Sequence, residues 1–201
     1  MTSLISLFAI AFVFSYAGSI PPGSINLSVV QLAMRDRKAG ALSLGLAAAM
    51  IEFVYAGIAV RFQIYLTENI EIATWFRWIS GTVLIVLGLV NWFQKPKEKK
   101  EEPSGEKRAG FVKGLMLAIM NPLAIPYWLT VSAYLQTMNW VNLTDDNYLI
   151  FVAGVSSGTF LLMVTATYLG SRFSSIQNNR FLLFKVPAII FVVMGIWTFV
   201  Q

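Results

Sequence analysis

Runs of about twenty apolar residues recur along this chain, each long enough to cross roughly 30 Å of hydrocarbon as a helix. Six stand out: Leu4 to Ser19 with a continuation through Ala33, Gly40 to Val60, Thr74 to Phe93, Phe111 to Leu135, Tyr148 to Gly170 and Phe181 to Val200. Backbone polar groups in lipid must be satisfied within the chain, so such runs fold as helices. The balance of 57% hydrophobic to 12% charged residues over 201 positions leaves no soluble core to look for. The expected fold is an all-α membrane protein with six transmembrane helices. The segment from Met1 to Leu4 lacks the basic start of a secretory signal, so the first run is kept as a span. Lys185 interrupts the last run before Pro187, and is read as snorkelling to the interface from a span that begins near Val186.

Two of these runs are broken, one in each half. Ser19-Ile20-Pro21-Pro22-Gly23-Ser24-Ile25-Asn26 interrupts the first, and Asn121-Pro122-Leu123-Ala124-Ile125-Pro126 interrupts the fourth. Proline frees backbone groups that need new partners, and in a bilayer such breaks survive mainly where they line a cavity or a polar site. Matching breaks in two halves point to a transporter. The simpler reading of each is a proline kink that only helps helices pack.

Charge sets the orientation. All fifteen basic residues except Arg61 and Arg77 fall in the connections after spans one, three and five, among them Arg35, Arg37, Lys38, Lys95 and Arg172. Those connections are therefore cytoplasmic and both termini lie outside. The opposite connections hold Glu68, Glu71, Asp145 and Asp146, with Trp75, Trp78 and Trp140 where an aromatic belt is expected. The net charge of +5 thus reports topology and implies no nucleic-acid partner. Residues 95–110 are mixed-charge and proline-bearing, and read as a flexible cytoplasmic loop between two units, 1–94 and 111–201. With three spans in each unit, a shared fold would place them in opposite orientations, as two inverted three-helix repeats.

At about 1.5 Å per helical residue, both breaks and Glu52 fall near the middle of the membrane. The stretch from Leu4 to Met34 is too long for one upright span, which favours two half-helices meeting at Pro21-Pro22-Gly23. A helix starting at the Gly23-Ser24 step would offer unpaired N–H groups to an anion such as a carboxylate. Glu52 is the one ionisable residue deep in any span, and a carboxyl there is costly unless it faces protein or water and has a partner. It shares a helical face with Gly45, Ala48, Ala49, Ala56 and Ala59, which turns it into the bundle. There it would exchange a coupling proton or pair with a substrate's ammonium group; the alternative is a protonated carboxyl bonded to Tyr55 or to a side chain of span four. Asn26, Ser28 and Gln31 could add polar groups at the first break, and Asn121, Tyr127 and Thr130 at the second. Gly154-Val155-Ser156-Ser157-Gly158 in span five reads first as a close helix contact.

The chain has neither Cys nor His, which excludes thiol relays, Cys or His metal sites and His acid–base chemistry. No P-loop is present, so energy would come from an ion gradient or from the substrate's own. No cofactor or metal is implied, and one buried carboxyl is too thin a set for an enzyme.

The run from Pro22-Gly23-Ser24 to Arg37-Lys38-Ala39-Gly40, then Leu44-Gly45 and Glu52, resembles the start of the LysE/RhtB amino-acid exporters. Phe111, Gly114 and Asn121-Pro122-Leu123-Ala124 are similar to that family's Asn-Pro-Lys-Ala stretch, with Leu123 in place of the lysine. The family's proline motif stands here as Pro21-Pro22-Gly23-Ser24, one residue out of the usual spacing before Gly40. The resemblance implies proton-driven export of amino acids or related small solutes across a bacterial inner membrane. The substrate-binding set expected on these grounds is Pro22, Gly23, Ser24, Asn26, Glu52, Asn121, Pro122 and Pro126, with Glu52 also coupling protons. Expected partners are that small molecule, protons and membrane lipid. The glycine- and alanine-rich spans can pack within one chain or between two, and the reading leans to a homodimer. The alternative from another class is a non-transporting membrane partner or assembly protein.

Overall fold

A computed structural model of the protein describes residues 3–20, 23–68, 107–121 and 124–169, together with separate positions between 75 and 93 and between 181 and 196. The continuous elements are all helical: α1 (Leu4–Gly18), α2 (Ser24–Met34), α3 (Lys38–Glu68), α4 (Lys107–Ile119), α5 (Ala124–Thr137) and α6 (Tyr148–Tyr168). Two of them, α3 and α6, are long and apolar enough to cross a membrane alone. The pair α4 and α5 makes a third candidate span, bent by 65° at the break. The prolines Pro21, Pro22 and Pro122 lie outside the described residues, as does most of the third and sixth apolar runs and of the central loop.

Local chemistry sets the ends. The Ser3 side chain caps α1 by accepting from the Ser6 N–H at 3.1 Å. Between α2 and α3 the chain reverses at Asp36, in the left-handed region at φ 58, and the Arg37 N–H returns to the Leu32 carbonyl at 2.9 Å. Asn139 plays the same part after α5, also at φ 58, with the Trp140 N–H bonded to the Leu135 carbonyl. Helix α3 extends to Glu68, well past the apolar run that ends at Val60. At 31 residues it is about 46 Å long, so the charge at Arg61 ends the apolar run and not the helix. Its last turns bury Ile64 and Leu66 against Val141 and Leu143 of the α5–α6 connection. Arg61 there lies 3.8 Å from the Asp145 carboxylate and 5.7 Å from the centre of the Tyr148 ring. In the same way α4 starts at Lys107, inside the stretch read from sequence as loop.

Helix α3 is the centre of the bundle, packing on α4, α6, α5 and α2, while α1 lies along α6. Glycines set the closest approaches. Gly110 and Gly114 of α4 lie against the carbonyls of Gly40 and Leu44, so that a Cβ on either would fall 2.3 to 2.4 Å from those oxygens. Gly154 and Gly158 of α6 do the same against the carbonyls of Phe8 and Phe12. The glycine pair of span five is therefore a helix contact with α1. Hydroxyls join the same seams: Ser15 Oγ donates to the Val155 carbonyl at 2.6 Å and lies 2.9 Å from Thr159 Oγ1, and Ser156 Oγ donates to the Ala49 carbonyl at 2.8 Å.

Among the outlying positions, Gly88 faces Ala188 and Val192, and Gly195 faces Gly81 and Ile85. Lys185 Nζ donates to the Trp92 carbonyl at 3.0 Å and sits 3.7 Å from the centre of the Trp92 ring.

Buried side chains form two apolar clusters at different levels. One gathers Val29, Val30 and Leu32 with Ala41 and Leu44 of α3 and Leu162, Met163 and Ala166 of α6. The other gathers Leu7 and Ala11 with Ala56 to Leu66 of α3, Trp128 to Leu135 of α5 and Phe151 to Val155 of α6. Glu52, Ser156 and Thr159 fall in the interval between the clusters, along α3 and α6.

The glycine seams are testable. A methyl at Gly158 meets backbone, so Gly158→Ala should lower detergent-solution stability by about 1 to 3 kcal/mol. At Gly57 the nearest atom, of Val152, is 4.0 Å from a Cβ, and Gly57→Ala should leave stability unchanged or raise it by about 0.5 to 1 kcal/mol. Equal effects in thermal unfolding would contradict this packing.

Candidate functional site

Glu52 lies partly buried on α3, and its small-residue face of Gly45, Ala48, Ala49, Ala56 and Ala59 is buried as the spacing requires. Its partner is Trp128 of α5, whose indole Nε1–H donates to Glu52 Oε1. Tyr55, one turn further along α3, bonds elsewhere: its hydroxyl donates at 2.8 Å to the carbonyl of Ile119, the last residue of α4. That carbonyl stands at a helix end, where the intrahelical ladder supplies no donor. Two side chains one turn apart on α3 thus hold both edges of the second break, Tyr55 the upstream edge and Glu52 the downstream one.

Trp128 is 1% exposed, with its ring edge-on to Tyr127 at 5.0 Å and to Phe151 at 6.2 Å. The Tyr127 hydroxyl reaches the other break: a Cβ on Gly18 would lie 1.9 Å from it. Gly18 is the last residue of α1, so its missing side chain makes the seat for Tyr127. A continuous line of contacts, Gly18 to Tyr127 to Trp128 to Glu52, joins the upstream edge of the first break to the Glu52 carboxyl.

The first break is tied locally as well. Asn26 Nδ2 donates to the Ser19 carbonyl at 2.7 Å, which holds the start of α2 to the end of α1. Gly23 is the N-cap of α2, in extended conformation and without a side-chain cap, and the Leu27 N–H to Gly23 carbonyl bond at 3.0 Å is the first of the ladder. The N–H groups of Ser24 to Asn26 lie ahead of that ladder. Gly23 and Ser24 are exposed, and a Cβ at Gly23 would meet nothing within 4 Å.

The other sequence candidates are placed as follows. Asn121 stands two residues past the end of α4, its N–H bonded to the Ala118 carbonyl at 3.1 Å. Pro126 lies inside the first turn of α5 and not in the break, because that turn has no use for the N–H that proline lacks. Its carbonyl accepts from Thr130 Oγ1 at 2.9 Å, so Thr130 is engaged within its own helix. Ser28 is buried in α2 and Gln31 is half-buried. Pro22 and Pro122 lie outside the described residues. Sequence reasoning missed Gly18 and Trp128; the one signal for Trp128 was an indole within two residues of Pro126. Among the described residues no three carboxylates converge to hold a metal.

Apolar helices packed through glycine seams, around one partnered carboxyl, define an integral membrane protein. A family model described as LysE type translocator matches residues 16–200. The chain belongs to the LysE family, a family of translocators and not of enzymes. Neither a curated protein nor a solved structure matches it.

The bond across the first break carries a prediction. Asn26→Ala should cost about 1 kcal/mol of stability through loss of the bond to Ser19. Asn26→Asp should not restore it, since a carboxylate cannot donate to a carbonyl. Thermal unfolding of both variants tests this, and rescue by Asp would overturn it.

Proposed function

We propose that this protein is a secondary carrier that exports amino acids or related small solutes from the cytoplasm across a bacterial inner membrane, coupled to protons. The observation that carries the reading is the line from Gly18 through Tyr127 and Trp128 to Glu52. It links both helix breaks to the one deep ionisable group, the arrangement a carrier needs if movement at the breaks is to follow what the carboxyl holds. A passive scaffold has no need of a carboxyl at this depth.

In this reading the N–H groups at Gly23 and Ser24 hold a substrate carboxylate, in the positive field of the α2 start. Glu52 takes the substrate's ammonium group or, in the return step, a proton. Asn121, the backbone around Pro122 and the first turn of α5 at Pro126 form the opposing wall, while Pro22 and Asn26 shape the first. Alternation exposes this midplane site to each side in turn as two inverted repeats rock about the breaks, with both termini outside. The pairing of α1 with α6 and of α4 with α3 supports the repeat, since each broken span then packs on the long helix of the other unit. Exposed apolar side chains such as Ile5, Val54 and Leu149 fit contact with lipid or with a second copy. Membership of a translocator family weighs against a non-transporting assembly protein.

Glu52→Gln keeps an oxygen to accept the Trp128 indole while removing the titratable group. Reconstituted in sealed vesicles, this variant should insert and fold as the wild type does, but lose amino-acid transport driven by a pH gradient by at least about a hundredfold, the scale of a lost essential proton-transfer group. Undiminished transport would remove Glu52 from the mechanism.

A further inference from the structure

We propose that Trp128 is the positioning residue of the Glu52 carboxyl and that its indole N–H competes with the cargo's ammonium group for that carboxyl, which makes the Tyr127-Trp128 pair a two-position clamp on the site. The inference rests on the reading of Glu52 as the cargo and proton group, and names how that group is occupied while the carrier is empty.

Three observations carry it. The indole donates to Glu52 Oε1 across 76 residues of sequence, and a bond of that kind leaves a cationic ligand to share or displace it. Trp128 does not act alone, because its ring is packed edge-on by Tyr127 and Phe151, so it cannot leave Glu52 without disturbing its neighbours. The neighbour Tyr127 has its hydroxyl lodged at Gly18, where even a methyl group would displace it. The first turns of α5 are therefore fastened at two points, one on the last residue before the first break and one on the deep carboxyl. Cargo that takes Glu52 removes one fastening, and the other then holds only through the Tyr127 hydroxyl at Gly18. The device couples occupancy of the site to freedom of movement at both breaks. It also selects for cargo bearing a positive charge, since a neutral group gains less at Glu52 than the indole it displaces.

Trp128→Phe keeps an aromatic ring between Tyr127 and Phe151 and removes the competing donor. The first readout is independent of any ligand. In purified protein with 15N-labelled indoles, the resonance missing from Trp128→Phe belongs to Trp128, and it should move upfield in Glu52→Leu, which removes the acceptor. The second is titration of wild type and Trp128→Phe with each of the twenty L-amino acids, followed by transport of the one that binds. The Phe variant should bind it about three- to tenfold more tightly, the range of one hydrogen bond's net worth, yet turn over more slowly because the empty clamp no longer closes. Gly18→Ala, which unseats Tyr127 from the other fastening, should slow turnover as well. Equal or weaker binding by Trp128→Phe, or an indole resonance unmoved by Glu52→Leu, would overturn the clamp. Failure of the underlying reading looks different: transport by Glu52→Gln would then be undiminished, whatever Trp128→Phe does.

Discussion

The hydrogen bond from Trp128 to Glu52 is the interaction on which the arrangement of the site depends. A carboxyl within an apolar span costs a few kcal/mol on insertion scales unless it is partnered, and the partner that Glu52 has belongs to the other half of the chain. Satisfying Glu52 therefore fixes the first turns of α5 against α3. Tyr55 fixes the end of α4 to the same helix, and the break between α4 and α5 is held from both sides. The Tyr127 hydroxyl at Gly18 extends the constraint to the end of α1. One polar requirement thus links the ends of α1 and α4 to the start of α5.

The remainder of the bundle allows that meeting. Without a hydrophobic drive between helices in lipid, close backbone approach and buried hydroxyls hold the helices together. Gly110 and Gly114 bring α4 onto α3, and Gly154 and Gly158 bring α6 onto α1. Ser15 and Ser156 bond to carbonyls along seams of α6. These contacts lie on continuous helices, and among the described residues the bond from Asn26 to Ser19 joins the two sides of the first break. Close seams beside interrupted helices suit the carrier proposed above, whose spans would bend where the helices are interrupted.

Much of this was legible in the sequence where a local physical rule governs. Glu52 stood out because a carboxyl inside an apolar run has few explanations, and the alanines at its helical spacing pointed to burial. The start of α2 at Ser24 followed from the prolines and Gly23 before it. What sequence could not supply was the identity of partners brought together by packing. Trp128 was hidden because a tryptophan in a membrane span reads as core or as interfacial belt, and its acceptor is 76 residues away. Gly18 drew no notice because nothing in the sequence says which distant side chain fills the space beside a glycine at a helix end. Pro126 was assigned to the break because proline in a first helical turn and proline between helices are the same letter. The reach of α3 to Glu68 was missed because Arg61 ends the apolar run but not the helix, which continues under the α5–α6 connection.

The central claim is that cargo and proton share Glu52. The most direct measurement is the proton count on binding, made in weakly buffered detergent solution with a pH-indicating dye, using the amino acid that stabilises the wild-type protein. If the two exclude each other at this carboxyl, the wild type releases protons as the amino acid binds and Glu52→Gln releases none. Equal release from both proteins, or binding to the wild type with no proton released at any pH, would contradict the account.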